Sequence, residues 1–160
     1  MGEHRQLLEE KLQLQRAKNR LRELRGVTVE ALLAKDSAPQ LDKLLAEYAH
    51  TSYEQNTPPH SRLPLTAEEN VIWAWLETEL SLETGAMYYY CCEGLWAKLR
   101  LLELVPAVSS LWRQEMGHGY TTGFLLISGD LCWLLEAGSD SRDEAHYLVD
   151  IWPCPREETV

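Results

Sequence analysis

Phenylalanine is almost missing from this chain of 160 residues: one Phe stands against six Trp and seven Tyr. Phe is chiefly a core filler, whereas Trp and Tyr combine a large apolar face with a polar handle and are common where proteins meet one another. The aromatic balance is compatible with a Trp-rich core and leans towards a binding surface. Long apolar runs are also missing. No stretch approaches the ~20 residues that cross a bilayer, and Met-Gly-Glu-His-Arg at the start carries no apolar signal core. Gln6 stands where a myristoylation signal has Ser or Thr. The expectation is a cytoplasmic protein with no membrane partner.

Signatures of chemistry are equally scarce. Of the four cysteines, Cys91 and Cys92 are adjacent and Cys132 and Cys154 lie far along the chain, so there is no CxxC and no Cys/His spacing of a zinc site. Adjacent cysteines pair with each other only under strain, which points to a reduced, intracellular chain. The histidines, at positions 4, 50, 60, 118 and 146, form neither HxH nor HExxH. Neither GxxxxGK nor GxGxxG occurs, and Ser128-Gly129 lacks the G-x-S-x-G of a nucleophile elbow. The paired carboxylates Glu9/Glu10, Glu68/Glu69 and Glu157/Glu158 are sequence neighbours in polar segments, and neighbours on a helix point apart. An enzyme would need Cys92, His118, His146 and a carboxylate around one pocket; the reading here is that the chain is not an enzyme and takes no cofactor or metal.

What the chain does have is a split in charge. Residues 1 to 35 carry eight Lys/Arg against five Asp/Glu (+3), and residues 36 to 160 carry seven against twenty (−13), together the net −10. An acidic body repels phosphates and attracts basic partners. Arg16, Lys18, Arg20, Arg22 and Arg25 line the first helical segment, yet the body's charge opposes a nucleic acid, so these residues are expected to meet acidic protein surface in the same chain or in a second copy.

Between Arg5 and Arg25, Leu7, Leu8, Leu12, Leu14, Leu21 and Leu24 sit among polar residues without Pro or Gly, giving roughly five turns of amphipathic helix. These six leucines are the candidates for docking or for a homodimer through the N-terminal helix. Thr28 is placed to cap a short helix over Val29–Ala34, and Ser37 a second one with Pro39 in its first turn. Residues 1–50 thus read as a helical arm, 51–65 (TSYEQNTPPHSRLPL) as a Pro-rich loop, and 66–160 as an α+β body forming one cooperative unit with the arm. Thr66 with Glu69 is a capping box before a helix whose apolar face is Val71, Ile72, Trp75, Leu76 and Leu80. After Gly85 the period becomes two: Met87–Cys92 and Leu95–Leu101 flank Glu93-Gly94 as a hairpin, although 95–104 also has the composition of a helix. A short helix over Val108–Met116 precedes strands at Gly123–Ile127, Leu131–Glu136 and Ala145–Trp152, with Gly129-Asp130 as a tight turn and the acidic stretch GSDSRDE as a longer loop. The fold class is α+β: N-terminal helices followed by an antiparallel sheet of about five strands.

Gly123-Phe-Leu-Leu-Ile-Ser-Gly-Asp130, followed by an apolar strand, an acidic loop and a Tyr-containing last strand, resembles the later part of the SUKH superfamily over about residues 120–152. That family places a Gly-Asp turn between strands of an α+β sheet, and many of its members are immunity proteins that neutralise a cognate toxin, often a nuclease. Leu63-Pro64 is the nearest counterpart of the family's upstream Leu-Pro, and its Asn-Gly-Gly pattern is missing here. The resemblance implies no functional residue beyond the Gly129-Asp130 turn.

Charge and aromatics favour the same class independently, because fixed carboxylates speed the approach of a basic partner and aromatic anchors slow its release. The sequence therefore describes an acidic protein-binding inhibitor, of immunity or antitoxin type, acting on a basic protein such as a toxin nuclease. Its expected partner-binding patch is Asp140, Asp143, Glu144 and Tyr147 with Asp150, Trp152, Glu157 and Glu158. Two other readings fit: a self-assembling adaptor or scaffold built on the first helix, and a nucleic-acid-mimicking inhibitor of a defence nuclease.

Overall fold

The computed structural model describes residues 2–54, 57–118, 123–140 and 143–155. In chain order these form α1 (Gly2–Arg22), β1 (Val27–Leu32), α2 (Pro39–Ala49) with a π-helical turn (His50–Glu54), β2 (Ser61–Pro64), α3 (Glu69–Leu80), β3 (Met87–Cys92), β4 (Leu95–Leu101), α4 (Leu104–His118), β5 (Gly123–Ser128), β6 (Trp133–Asp140) and β7 (Asp143–Pro153). The fold is α+β, with seven strands in one sheet of order β1-β4-β3-β5-β6-β7-β2, every pairing antiparallel.

The two strands beyond the expected five are the edges. Val27-Thr28-Val29 has the β-branched composition that fits a pleated surface, and β4 offers it an apolar partner, with Val27 opposite Leu101 and Val29 opposite Leu99. The helix expected over Val29–Ala34 is therefore a strand, bulged between Val29 and Ala31, and Thr28 caps nothing. At the other edge Ser61-Arg62-Leu63-Pro64 pairs with β7 from within the Pro-rich segment; Pro64 is tolerated because an edge strand need not donate on both sides. Helix starts also differ from the expected caps. Ser37 Oγ donates to the Ala34 carbonyl at 2.6 Å, leaving Ala38 at the N-cap of α2, and Glu68 rather than Thr66 precedes α3. Pro39 keeps its expected place in the first turn of α2. The 95–104 segment is a strand up to Leu101, after which α4 starts at Leu104 with Pro106 in its first turn.

The sheet is apolar on both faces. On one, Tyr88, Tyr90, Leu99, Leu126, Leu135 and Val149 pack under α3, α4 and the second half of α1, through Leu76, Val108, Trp112, Ala17 and Leu21. On the other, Trp96, Leu125, Ile127 and Leu134 pack under α2 through Leu41, Leu44 and Tyr48. The β3–β4 hairpin turns at Glu93 and Gly94, both with positive φ (54° and 77°), as a two-residue turn of the primed type requires. Glu93 carries a Cβ in that region, and α1 holds it: Gln13 Nε2 donates to its carbonyl at 2.8 Å and Arg20 to its carboxylate at 3.0 Å.

Gly26 joins α1 to β1. Its carbonyl accepts the N–H groups of Leu102 and Glu103, its φ is +69°, and a Cβ there would lie 2.5 Å from the Glu103 carbonyl oxygen and 2.7 Å from the Ala107 nitrogen. Both obstacles are backbone at the start of α4. Gly26→Ala should therefore lower the unfolding free energy by about 2–4 kcal/mol, read as a lower urea midpoint at unchanged m-value.

Candidate functional site

The expected patch on the last strand is not one surface. Tyr147 faces the helix-covered side and is buried with its ring 4.9 Å from that of Trp112. Asp150 faces α2, is only 7% exposed, and accepts a 2.6 Å hydrogen bond from the Tyr48 hydroxyl. Trp152 is half-buried beside the same Tyr48, with ring centroids 5.9 Å apart. Asp143 is held locally: it accepts from the Ala145 N–H at 3.0 Å, pairs with His146 Nδ1 at 3.0 Å, and lies 3.6 Å from Arg62. The His146 hydrogen bond first, then the Ala145 N–H, hold its carboxyl below the usual range. Asp140 ends β6 opposite Asp143, Glu144 is exposed, and Glu157 and Glu158 lie outside the described residues. A period-two strand sends Tyr147 to one face and Asp150 to the other, so these residues serve packing more than a common surface.

The leucines of α1 divide in the same way. Leu21 is buried and Leu14 and Leu24 are partly buried against the core, whereas Leu7, Leu8 and Leu12 are 57%, 52% and 50% exposed. The basic flank of the helix finds acidic protein in its own chain, with Arg16 3.6 Å and Arg20 3.0 Å from the Glu93 carboxylate. Cys92 and His146 do not meet: β3 and β7 are separated by β5 and β6, about 14 Å at the usual strand spacing. Among the described residues, no three His, Cys, Asp or Glu side chains form a group able to hold a metal ion, and no helix is long and apolar enough to cross a membrane.

The structure brings together a different set. Where α3 ends, an open cleft of about 630 Å³ runs along the helix-covered face, floored by Leu80, Met87, Tyr88, Leu135 and Ile151 and bounded by Glu83, Ser128, Asp130 and Trp133. Trp133 is 46% exposed, which is unusual for a Trp at the start of a strand with an open apolar neighbour. The rim is a rigid turn. Ser128 Oγ donates to Asp130 Oδ1 at 2.7 Å and accepts the N–H of Trp133 at 3.0 Å, while Asp130 Oδ1 accepts the Cys132 N–H at 3.0 Å. Gly129 is required here, since its N–H donates to the Met87 carbonyl at 3.0 Å and a Cβ would sit 2.8 Å from that oxygen. On the opposite wall the Tyr88 hydroxyl accepts the Glu83 N–H at 3.0 Å, and burial pushes its pKa up.

The cleft thus offers an apolar floor, an indole face and two exposed carboxylates. That combination suits a cation with an apolar stem: the stem packs on the floor, and the charge meets the indole and the carboxylates. Among the described residues, no histidine or cysteine lines it. The Gly129-Asp130 turn was legible in the sequence; Trp133 beside it was one of six tryptophans with no signal to mark it as the exposed one. No family model, no curated protein and no solved structure matches this chain.

The Ser128 hydroxyl first, then the Cys132 N–H, hold the Asp130 carboxyl below its usual range. A depressed folded-state pKa adds stability above the unfolded value of about 3.9, and that stability is lost as pH falls through the folded value. In urea titrations from pH 5 to pH 2, wild type should therefore lose stability faster than Asp130→Asn, and the gap between them should narrow towards pH 2. A constant gap would mean that the turn does not hold the ionised form.

Proposed function

We propose that this protein acts by stoichiometric binding of a basic protein, receiving an Arg or Lys side chain in the Trp133 cleft, as an immunity- or antitoxin-type inhibitor of a toxin such as a nuclease. The observation that carries the reading is the half-exposed Trp133 beside Asp130 and Glu83 over an apolar floor. Trp in a pocket of this kind is the residue type that dominates interface energetics, and the net charge of −10 supplies long-range attraction for a basic partner. The turn that carried the SUKH resemblance forms the rim of the same cleft, which puts the proposed contact on the part of the chain most like that family.

The test is protection of nucleic acid from a basic nuclease captured from the host at low salt. Wild type at equimolar amounts should block cleavage, with affinity falling as salt rises. Trp133→Ala, at an exposed position that leaves folding nearly intact, should raise Kd by about 30-fold or more. A nuclease that stays active with saturating protein, or a Trp133→Ala protein that binds as well as wild type, would remove the reading.

A second reading rests on α1. Its first eight residues are all exposed, and Leu8 and Leu12 lie one turn apart on the side away from the docked face. Two such helices crossing antiparallel would set Leu8 against Leu12 of a second copy and Glu9 against Lys11, matching apolar with apolar and negative with positive. This is the self-assembling adaptor. Leu8→Glu with Leu12→Glu should convert a dimer to a monomer in analytical ultracentrifugation without moving the thermal midpoint by more than a few degrees. A monomeric wild type at high concentration excludes it.

A further inference from the structure

The last pairing between β6 and β7 is Trp133 opposite Pro153. One step further out, the Cys154 N–H donates to the Cys132 carbonyl at 2.8 Å, so Cys132 and Cys154 stand directly opposite each other on neighbouring antiparallel segments. Opposed residues in such a pair have Cα atoms about 4.5–5.5 Å apart, inside the ~4.4–6.8 Å span that a disulfide bridges. The parity agrees. Cys132 precedes Leu134 by two residues, Cys154 follows Trp152 by two, and Leu134 and Trp152 both face α2, as does Cys154. Cys132 is half-buried and open to solvent, whereas Cys154 is buried. The other two cysteines, neighbours along β3, point to opposite faces, and Cys92 lies beneath α1 with its thiol towards the Ala17 carbonyl. Cys132 and Cys154 are free thiols in this structure.

We infer that Cys132 and Cys154 are a redox-active thiol pair, oxidised to an intramolecular disulfide by a low-molecular-weight disulfide such as oxidised glutathione. The Cys132 thiolate attacks one glutathione sulfur, forming a mixed disulfide and releasing one glutathione thiolate. The Cys154 thiolate then attacks the Cys132 sulfur, closing the Cys132–Cys154 bond and releasing the second. Two protein thiols lose two electrons and two protons, and one glutathione disulfide becomes two glutathione thiols. The exposed member is the entry point and the buried member the resolving one. Burial first, then the neighbouring Cys132, Asp130 and Glu47, pushes the Cys154 thiol up to about 11, so closure is slow at neutral pH and speeds up as pH rises. The bond would tie the end of β7 to the residue immediately before Trp133, pinning the rim of the cleft. The inference stands whether or not that cleft binds a basic partner.

The test is mass spectrometry of the full-length protein incubated with oxidised glutathione. Trypsin cutting after Arg113, Arg142 and Arg156 places Cys132 and Cys154 on separate peptides, so the bond appears as a linked pair that dithiothreitol separates. Wild type should pass through a glutathione adduct on Cys132 to that linked pair. In Cys154→Ser the Cys132 adduct should persist, and in Cys132→Ser the peptide carrying Cys154 should show neither adduct nor link. Decay of the isolated adduct should accelerate roughly tenfold per pH unit between pH 7 and pH 9, following the thiolate fraction of Cys154. A persistent wild-type adduct at pH 9, or a link involving Cys91 or Cys92, would overturn the inference.

Discussion

A sheet whose central strands are apolar on both sides must be covered twice, and most of this molecule follows from that requirement. Gly123 to Ile127 in β5 are buried without interruption, the run expected of a strand with protein above and below it. One face receives three helices. Among the described residues, the other is covered by one helix, α2, of eleven residues and about 16 Å long. Asp150 lies beneath that short cover, and a buried carboxylate is tolerable only with a donor aimed at it. The Tyr48 hydroxyl is such a donor, and together with the Trp96 indole N–H, which donates to Asp42 at 2.9 Å, it fixes where α2 sits over the apolar strands.

The same requirement governs the charges. Several of the body's few cations lie beside carboxylates: Arg100 on Glu30, Arg113 on Glu69, Arg62 near Asp143. Exposed pairs of this kind contribute little to stability, about 0–1 kcal/mol each, but they neutralise local charge and leave the acidic excess as a long-range field. Glu93 is a different case, since it sits at a left-handed turn position and engages Arg16 and Arg20 from a helix more than seventy residues away in sequence.

Much of the fold was legible wherever pattern alone decides. The change to period two at Met87, the hairpin at Glu93-Gly94, the short apolar runs after Gly123 and the long first helix are all local signals, and each is found in place. The edge strands were not legible, because their identity depends on what they pair with. Val29–Ala34 has a cap, an acidic second residue and helix formers, yet β4 offers it a ladder; Ser61–Pro64 contains Pro and is four residues long. The site was harder still. Alternation along β7 places Tyr147 and Asp150 on opposite faces, which period-two reasoning could have foreseen, but the assembly of Glu83, Asp130 and Trp133 around one cleft needs the sheet order, and sheet order is set by contacts distant in sequence.

The docking of α1 has a temporal side. The groups that hold its second half, the Glu93 turn and Gln114 on α4, follow it by 73 to 94 residues. A chain made from its N-terminus therefore exposes this basic, leucine-bearing helix well before its own acidic partners exist. Each such contact closes a long loop, which costs more chain entropy than a local contact. Until those partners emerge, the leucines of the arm meet only solvent, chaperones or other chains.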